Sequence, residues 1–152
     1  MGLNDPGDPV DFTDFHRWFL ALMGFAPFRW QWRLFDDFVR GEVPGAVDLP
    51  TGLGKTSVMA LWLMARAFNA GLPRRLVYVV DRRVVVDQAT TVAQQLRDSL
   101  LNNPDCAGIA ERLGLGQDIE LPISTLRGQL ADNRLWLEDP TRPAIVVGTV
   151  DM

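Results

Sequence analysis

The sequence predicts an α/β fold: a parallel sheet with helices flanking it. Short, nearly all-apolar and often β-branched runs alternate with longer segments of helical periodicity. Breaks built from Gly, Pro and Asn fall between them. One junction is glycine-rich, follows an apolar run and opens a helical pattern.

Residues Met1 to Val10, rich in Asp, Pro and Gly, read as a loose lead-in. Phe12, Phe15, Phe19 and Leu22 then recur at helical spacing with Trp18 beside them, predicting a helix over Asp11 to Met23 that Gly24 is placed to end. A second helix is expected over Trp30 to Val39, stopping at Gly41. Ala46 to Leu49 is expected as a short strand, and Lys55 to Ala70 as a helix closed by Gly71 and Pro73. Arg75 to Val80 reads as a strand and about Arg83 to Leu101 as a long helix, broken by Asn102, Asn103 and Pro104. Ile109 to Leu113 fits a short helix. Ile119 to Ser124 and Ala144 to Val147 fit two further strands, with one or two helical turns between them at Asp132 to Leu137. No internal repeat, low-complexity segment or composition shift divides the chain.

At 152 residues the chain is long enough for one globular domain with a core. Its net charge of −4 argues against a dedicated nucleic-acid module with a basic face, but is compatible with a motor that grips a strand through a few local contacts. The richest apolar run, Val58 to Phe68, is too short for a membrane span and contains Arg66, so no membrane partner is expected. The acidic N-terminus lacks the layout of a signal peptide, and the cytoplasm is the expected compartment. Cys106 is the only cysteine and reads as a plain thiol. The single histidine, His16, reads as a surface or core residue, because a metal centre of clustered His and Asp ligands needs more than one. The tryptophans Trp18, Trp30, Trp32, Trp62 and Trp136 fall mostly on apolar helical faces and read as core, not as base-stacking platforms.

The segment Leu49-Pro50-Thr51-Gly52-Leu53-Gly54-Lys55-Thr56 carries the chemistry. Glycines at 52 and 54 let the backbone turn and approach a ligand without a Cβ clash. Successive N–H groups then converge, and the following helix N-terminus adds partial positive charge, so the segment suits a phosphate chain. Lys55 is placed for the terminal phosphates, the Thr56 hydroxyl for a magnesium ion, and Ser57 to assist or to face a neighbour. Lys55 is the only lysine among fifteen basic residues. Arginine and lysine interchange on a solvated surface, but not where a compact ammonium must fit between phosphates.

The loop has Leu49 where the general phosphate-loop motif has glycine, and its form Pro-Thr-Gly-x-Gly-Lys-Thr resembles that of superfamily 2 helicases. Four further segments, together reaching from Phe28 towards the C-terminus, resemble the same superfamily. They are Pro27-Phe28-Arg29-Trp30-Gln31, Val77 to Gln88, Ser124 to Gln129, and Ile145 to Asp151. The resemblance implies a RecA-like P-loop NTPase fold, with residues 1–27 as lead-in and helix and residues 28–152 as part of the first helicase motor domain. It implies ATP and Mg2+ as cofactors, held by Gln31, Thr51, Gly52, Leu53, Gly54, Lys55, Thr56 and Ser57, with Lys55 catalytic, Thr56 on the magnesium and Gln31 reading the adenine edge. It implies single-stranded DNA as partner, met by Arg82, Gln88, Arg127, Gly128 and Thr149. Arg82 stands where the family has threonine and Asp81 where it has proline, so an N-capping Asp81 with solvated arginines is the alternative there. The pieces Leu126-Arg127-Gly128 and Gly148-Thr149-Val150-Asp151 look most like the helicase of type I CRISPR systems, which would add a surveillance complex as partner.

The Asp-Glu motif that completes a superfamily 2 ATPase does not occur in the sequence; Asp151 lacks the following Glu. The chain is therefore expected to be a truncated domain, poorly stable and with little ATPase by itself. Two other classes fit the phosphate loop: a P-loop phosphotransferase, and a module that binds nucleotide without hydrolysing it. The two helices and Gln31 ahead of the loop favour the helicase.

Overall fold

Apolar side chains three and four residues apart give the first helix a single sticky face. In the computed structural model, which describes residues 9–127 and 130–150, α1 spans Phe12–Met23 and buries Phe15, Trp18, Phe19 and Leu22. Asp11 caps it by accepting the Asp14 amide at 2.8 Å, and Gly24 ends it in the left-handed region at φ 80°. The lead-in up to Asp8 lies outside the described residues. Helix α2, Arg29–Val39, brings Phe35 against Phe15 with ring centroids 4.8 Å apart. Helix α3, Val58–Phe68, is apolar all round and buries every residue from Met59 to Ala65. Trp18 of α1 stacks on Phe68 at its end, at 5.1 Å. Asn69 ties the ends of α2 and α3 together: its Nδ2 donates to Val39 O at 3.0 Å, while its Oδ1 accepts from Gly71 N at 2.8 Å.

The remaining elements are β1 (Arg75–Val80), α4 (Arg83–Asn102), α5 (Ala107–Arg112), β2 (Ile123–Arg127), β3 (Leu130–Ala131), α6 (Leu135–Glu138) and β4 (Ala144–Thr149). The sheet order is β1-β4-β2-β3, with β1, β4 and β2 parallel and the two-residue β3 antiparallel at the edge. Strand β4 is central and buried along its length, as a continuous apolar run in a parallel sheet should be. Helix α4 packs over β1, β4 and β2, burying Val86, Ala89, Ala93 and Leu96. The α4 side of the sheet joins α1, α2, α3 and α5 in one core cluster. The opposite face is covered less completely: α6 packs on β2 and β4, while Val77 and Val79 of β1 remain 56 % and 49 % exposed.

Three expectations need correction. Ala46 to Leu49 forms no strand among the described residues, and Ala46, Val47 and Asp48 are exposed. A strand requires a laddered neighbour, and no described strand lies beside this segment to pair with it. The strand expected at Ile119 to Ser124 is observed from Ile123 to Arg127. Pro122 has no N–H to give a ladder, so pairing with β4 is continuous only from Ile123, while Pro122 contributes its carbonyl to Ile145 N at 3.0 Å. The helix expected from Lys55 begins as a 3₁₀ turn, Lys55–Ser57, and becomes α-helical only at Val58.

The outer edge of β2 has an unusual cover. Asp132 Oδ1 accepts the Thr125 N–H at 2.8 Å, and the Asp132 N–H donates to Thr125 O at 3.1 Å. Asn133 Nδ2 donates to Ile123 O at 3.0 Å, while its Oδ1 accepts from the Ser124 hydroxyl at 2.5 Å. Side-chain amide and carboxylate groups thus replace a neighbouring strand where β3 ends.

Candidate functional site

The loop from Leu49 to Gly54 is irregular and leads into the 3₁₀ turn that opens α3. Gly52 and Gly54 are both left-handed, at φ 87° and 71°. A Cβ at Gly52 would meet open space, whereas one at Gly54 would sit 3.2 Å from Gln31 Nε2. Thr51 and Lys55 are exposed, Leu53 and Thr56 half-buried and Ser57 buried. The loop therefore presents its backbone and its one ammonium to solvent ahead of an anchored helix. A triphosphate fits this arrangement, because the left-handed backbone at positions 52 and 54 is one that glycine adopts without strain.

The segment Phe25–Gln31 grips the loop from behind. Gln31 is completely buried, so the expectation of a glutamine with its edge available holds only after a local opening. Its Oε1 accepts the Phe28 N–H at 2.6 Å, the return half of a capping box on α2, since Phe28 has no side-chain acceptor of its own. Its Nε2 donates to Ser57 Oγ at 2.7 Å, and that hydroxyl donates onward to Gly54 O at 2.6 Å. Trp30, assigned to the core from sequence, sends its indole N–H to Leu53 O at 3.0 Å. The exposed rings of Phe25 and Phe28 face the same glycine, 3.9 and 4.0 Å from where a Gly54 Cβ would stand. Sequence reasoning missed Trp30 and the two phenylalanines as neighbours of the loop. The available signal was a cluster of aromatic residues immediately around Gln31.

Of the second predicted group, Arg82, Arg127 and Thr149 lie at one end of the sheet. Parallel strands β1, β4 and β2 all finish there, at Val80, Thr149 and Arg127. Arg82 is exposed and is the N-cap residue of α4, although it makes no side-chain cap bond; Asp81, the alternative cap, does not hold that position. Gln88 is exposed on α4. Arg127 bonds the Asp87 carboxylate at 2.5 Å, both side chains being well exposed. Thr149 is only 2 % exposed and lies in register with Val80. Gly128 and Asp151 lie outside the described residues.

Among the described residues no three His, Cys, Asp or Glu side chains converge as a metal site. His16 sits half-buried on α1 with its ring 6.0 Å from Phe12. No helix among the described residues is long and apolar enough to cross a membrane.

No curated protein and no solved structure matches the chain. A family does: the one described as type III restriction enzyme, res subunit, matches residues 24–120, more than half of the sequence and a span that takes in the Phe25–Gln31 segment, the loop, α3, β1 and α4. With a RecA-like parallel sheet and a phosphate-loop sequence, the chain belongs to this family of helicase-like superfamily 2 ATPase domains.

Proposed function

We propose that this chain is the ATP-binding portion of an ATP-dependent superfamily 2 DNA helicase or translocase, residues 28–152 contributing to its first motor domain. One observation carries the reading: two left-handed glycines, in a loop open to solvent, directly precede an exposed Lys55 and a buried helix. In this reading the backbone from Thr51 through Gly52, Leu53 and Gly54 cradles the phosphates. Lys55 places its ammonium on the terminal ones, the Thr56 hydroxyl takes magnesium and Ser57 supports the turn. Bound ATP supplies the anhydride whose hydrolysis drives movement, and Mg2+ offsets its charge. Gln31 serves the adenine. Its amide has one N–H and one oxygen lone pair beyond those used by Ser57 and Phe28, enough to pair with an adenine edge once the segment around it opens.

Arg82 and Arg127 meet the phosphates of a single strand at the sheet end, with Gln88, Gly128 and the strand terminus at Thr149 completing the track. Arg127 must exchange Asp87 for a DNA phosphate to do so. The finer assignment, to the DNA-degrading helicase of type I CRISPR systems acting in the cytoplasm with an RNA-guided surveillance complex, is supported by the Leu126-Arg127-Gly128 and Gly148-Thr149-Val150-Asp151 pieces.

Titration with ATP and magnesium tests the core of the proposal. The chain is expected to bind, and Lys55→Ala is expected to weaken binding by at least about tenfold, as loss of a charged phosphate contact should. Equal binding by the variant, or none by the parent, removes the motor reading. Measuring affinity for single-stranded DNA separates the helicase from a phosphotransferase or a nucleotide-only module, which should not bind it. Tighter capture of the chain by a DNA-loaded surveillance complex than by the same DNA alone tests the CRISPR assignment.

A further inference from the structure

Every carbonyl in a phosphate loop that turns outward needs a donor, and the donor it finds fixes the peptide plane. In a trans peptide the C=O and the following N–H point in opposite directions, and this chain has no cis peptide bond among the described residues. Trp30 donates to Leu53 O at 3.0 Å, so the Gly54 N–H of the same peptide is held pointing away from the indole. Ser57 donates to Gly54 O at 2.6 Å, which orients the Lys55 N–H in the same manner. The two donors are anchored differently. Ser57 is buried and backed by Gln31. Trp30 stands in the first turn of α2, one residue before Gln31, so the two neighbours project about 100° apart and grip the loop at separate points.

Resting on the nucleotide reading above, we propose that Trp30 is a positioning residue for the phosphate cradle: its indole N–H aims the Gly54 amide at the triphosphate. The contact is specific to a donor at that place. A phenylalanine would retain most of the packing but leave the Leu53–Gly54 peptide freer to rotate, because Gly54 on its C-terminal side imposes little φ restraint. Water would then satisfy Leu53 O in several orientations, and a ligand would have to restore the order that Trp30 supplies.

Trp62 offers a matched control. Its indole also donates to a backbone carbonyl, Pro73 O at 3.0 Å, but beyond the far end of α3 and away from the loop. The experiment compares the full chain with Trp30→Phe and Trp62→Phe, well below the unfolding temperature of each. Dissociation constants are measured for MgATP and for magnesium tripolyphosphate, a probe with no base. Trp30→Phe is expected to weaken both by a common factor of about three- to tenfold, the range of one hydrogen bond. Trp62→Phe should change neither. In ligand-free Trp30→Phe the Gly54 amide resonance should shift or broaden, a signature that lost global stability would not produce. Three results overturn the proposal: unchanged affinities in Trp30→Phe, weakening of MgATP alone, which would place Trp30 at the base, or equal weakening in Trp62→Phe. Failure of the parent chain to bind either probe is a different result; it removes the nucleotide reading itself, and the positioning role with it.

Discussion

Gly52 and Gly54 are alike in sequence but not in surroundings. Both hold a backbone conformation that costs a residue with a Cβ about 1–2 kcal/mol. At Gly52 that is the whole cost, because the added methyl meets open space. At Gly54 the methyl also presses on Gln31 Nε2 at 3.2 Å and strains the link to Ser57. Gly52→Ala is therefore expected to lower stability by about 1–2 kcal/mol, and Gly54→Ala by clearly more, as read from urea unfolding midpoints. Equal losses would show that the Gln31 contact yields freely. Asp87 supplies a second test at this scale. If its bond with Arg127 competes with a DNA phosphate, Asp87→Ala should tighten single-stranded DNA binding at low salt by about two- to fivefold, with the gain fading as salt screens it. Weaker binding by the variant would show instead that Asp87 holds Arg127 ready.

The edge of β2 is the element whose behaviour depends most on individual polar groups. Asn133 satisfies Ile123 O and the Ser124 hydroxyl, and Ser124 is fully buried. Asn133→Ala leaves both without that partner and should cost about 1–3 kcal/mol. It also bares a strand edge, so the variant is expected to self-associate at concentrations where the parent does not. Light scattering alongside thermal unfolding checks both outcomes. Loss of stability without association would mean that Asp132 guards the edge unaided. The helical elements follow simpler rules. The bounds of α1 and α2 were legible because their caps and stops, Asp11, Gly24 and Gly41, act within one turn of chain.

Across the whole molecule, α1 is not an appendage. Phe15 is fully buried and packs on Phe19, Trp32 and Phe35 in the same cluster that reaches Ile145 and Val147 of the sheet. Phe15→Ala should lower the unfolding free energy by about 3–5 kcal/mol, enough to remove the folded baseline of a chain of low stability in urea titration. Cys106 reports on the same core from another side. It is fully inaccessible, and burial, assisted by the neighbouring Asp105 charge, pushes its thiol up to about 11 from the usual 9.0. Below pH 9 the thiol is neutral whether the chain is folded or not, and its full contribution is present. Above pH 9 the unfolded thiol ionises while the folded one does not, so stability falls between pH 9 and about 11. Cys106→Ala should flatten that part of the pH profile, and the native thiol should resist alkylation at pH 8 until the chain unfolds. A profile unchanged by the substitution would assign the alkaline loss to other groups.

The amino-acid sequence alone determined the alternation of helices and apolar strands, the bounds of β1 and nearly those of α4, and the phosphate loop with its solitary lysine. These are local properties: periodicity, turn chemistry and the spacing of glycines act over a few residues. Tertiary structure decided what depends on distant partners. It withheld a strand from Ala46–Leu49, where nothing pairs, and moved the start of β2 past Pro122, where the ladder begins. It closed Gln31 into a buried relay with Ser57, and it gave Trp30, which packs against the core as expected, a second task as donor to a loop twenty-three residues away. A hydrogen bond has no trace in sequence until folding brings its two ends within about 3 Å, and for that reason the glycine loop was readable from sequence while the side chains that hold it were not.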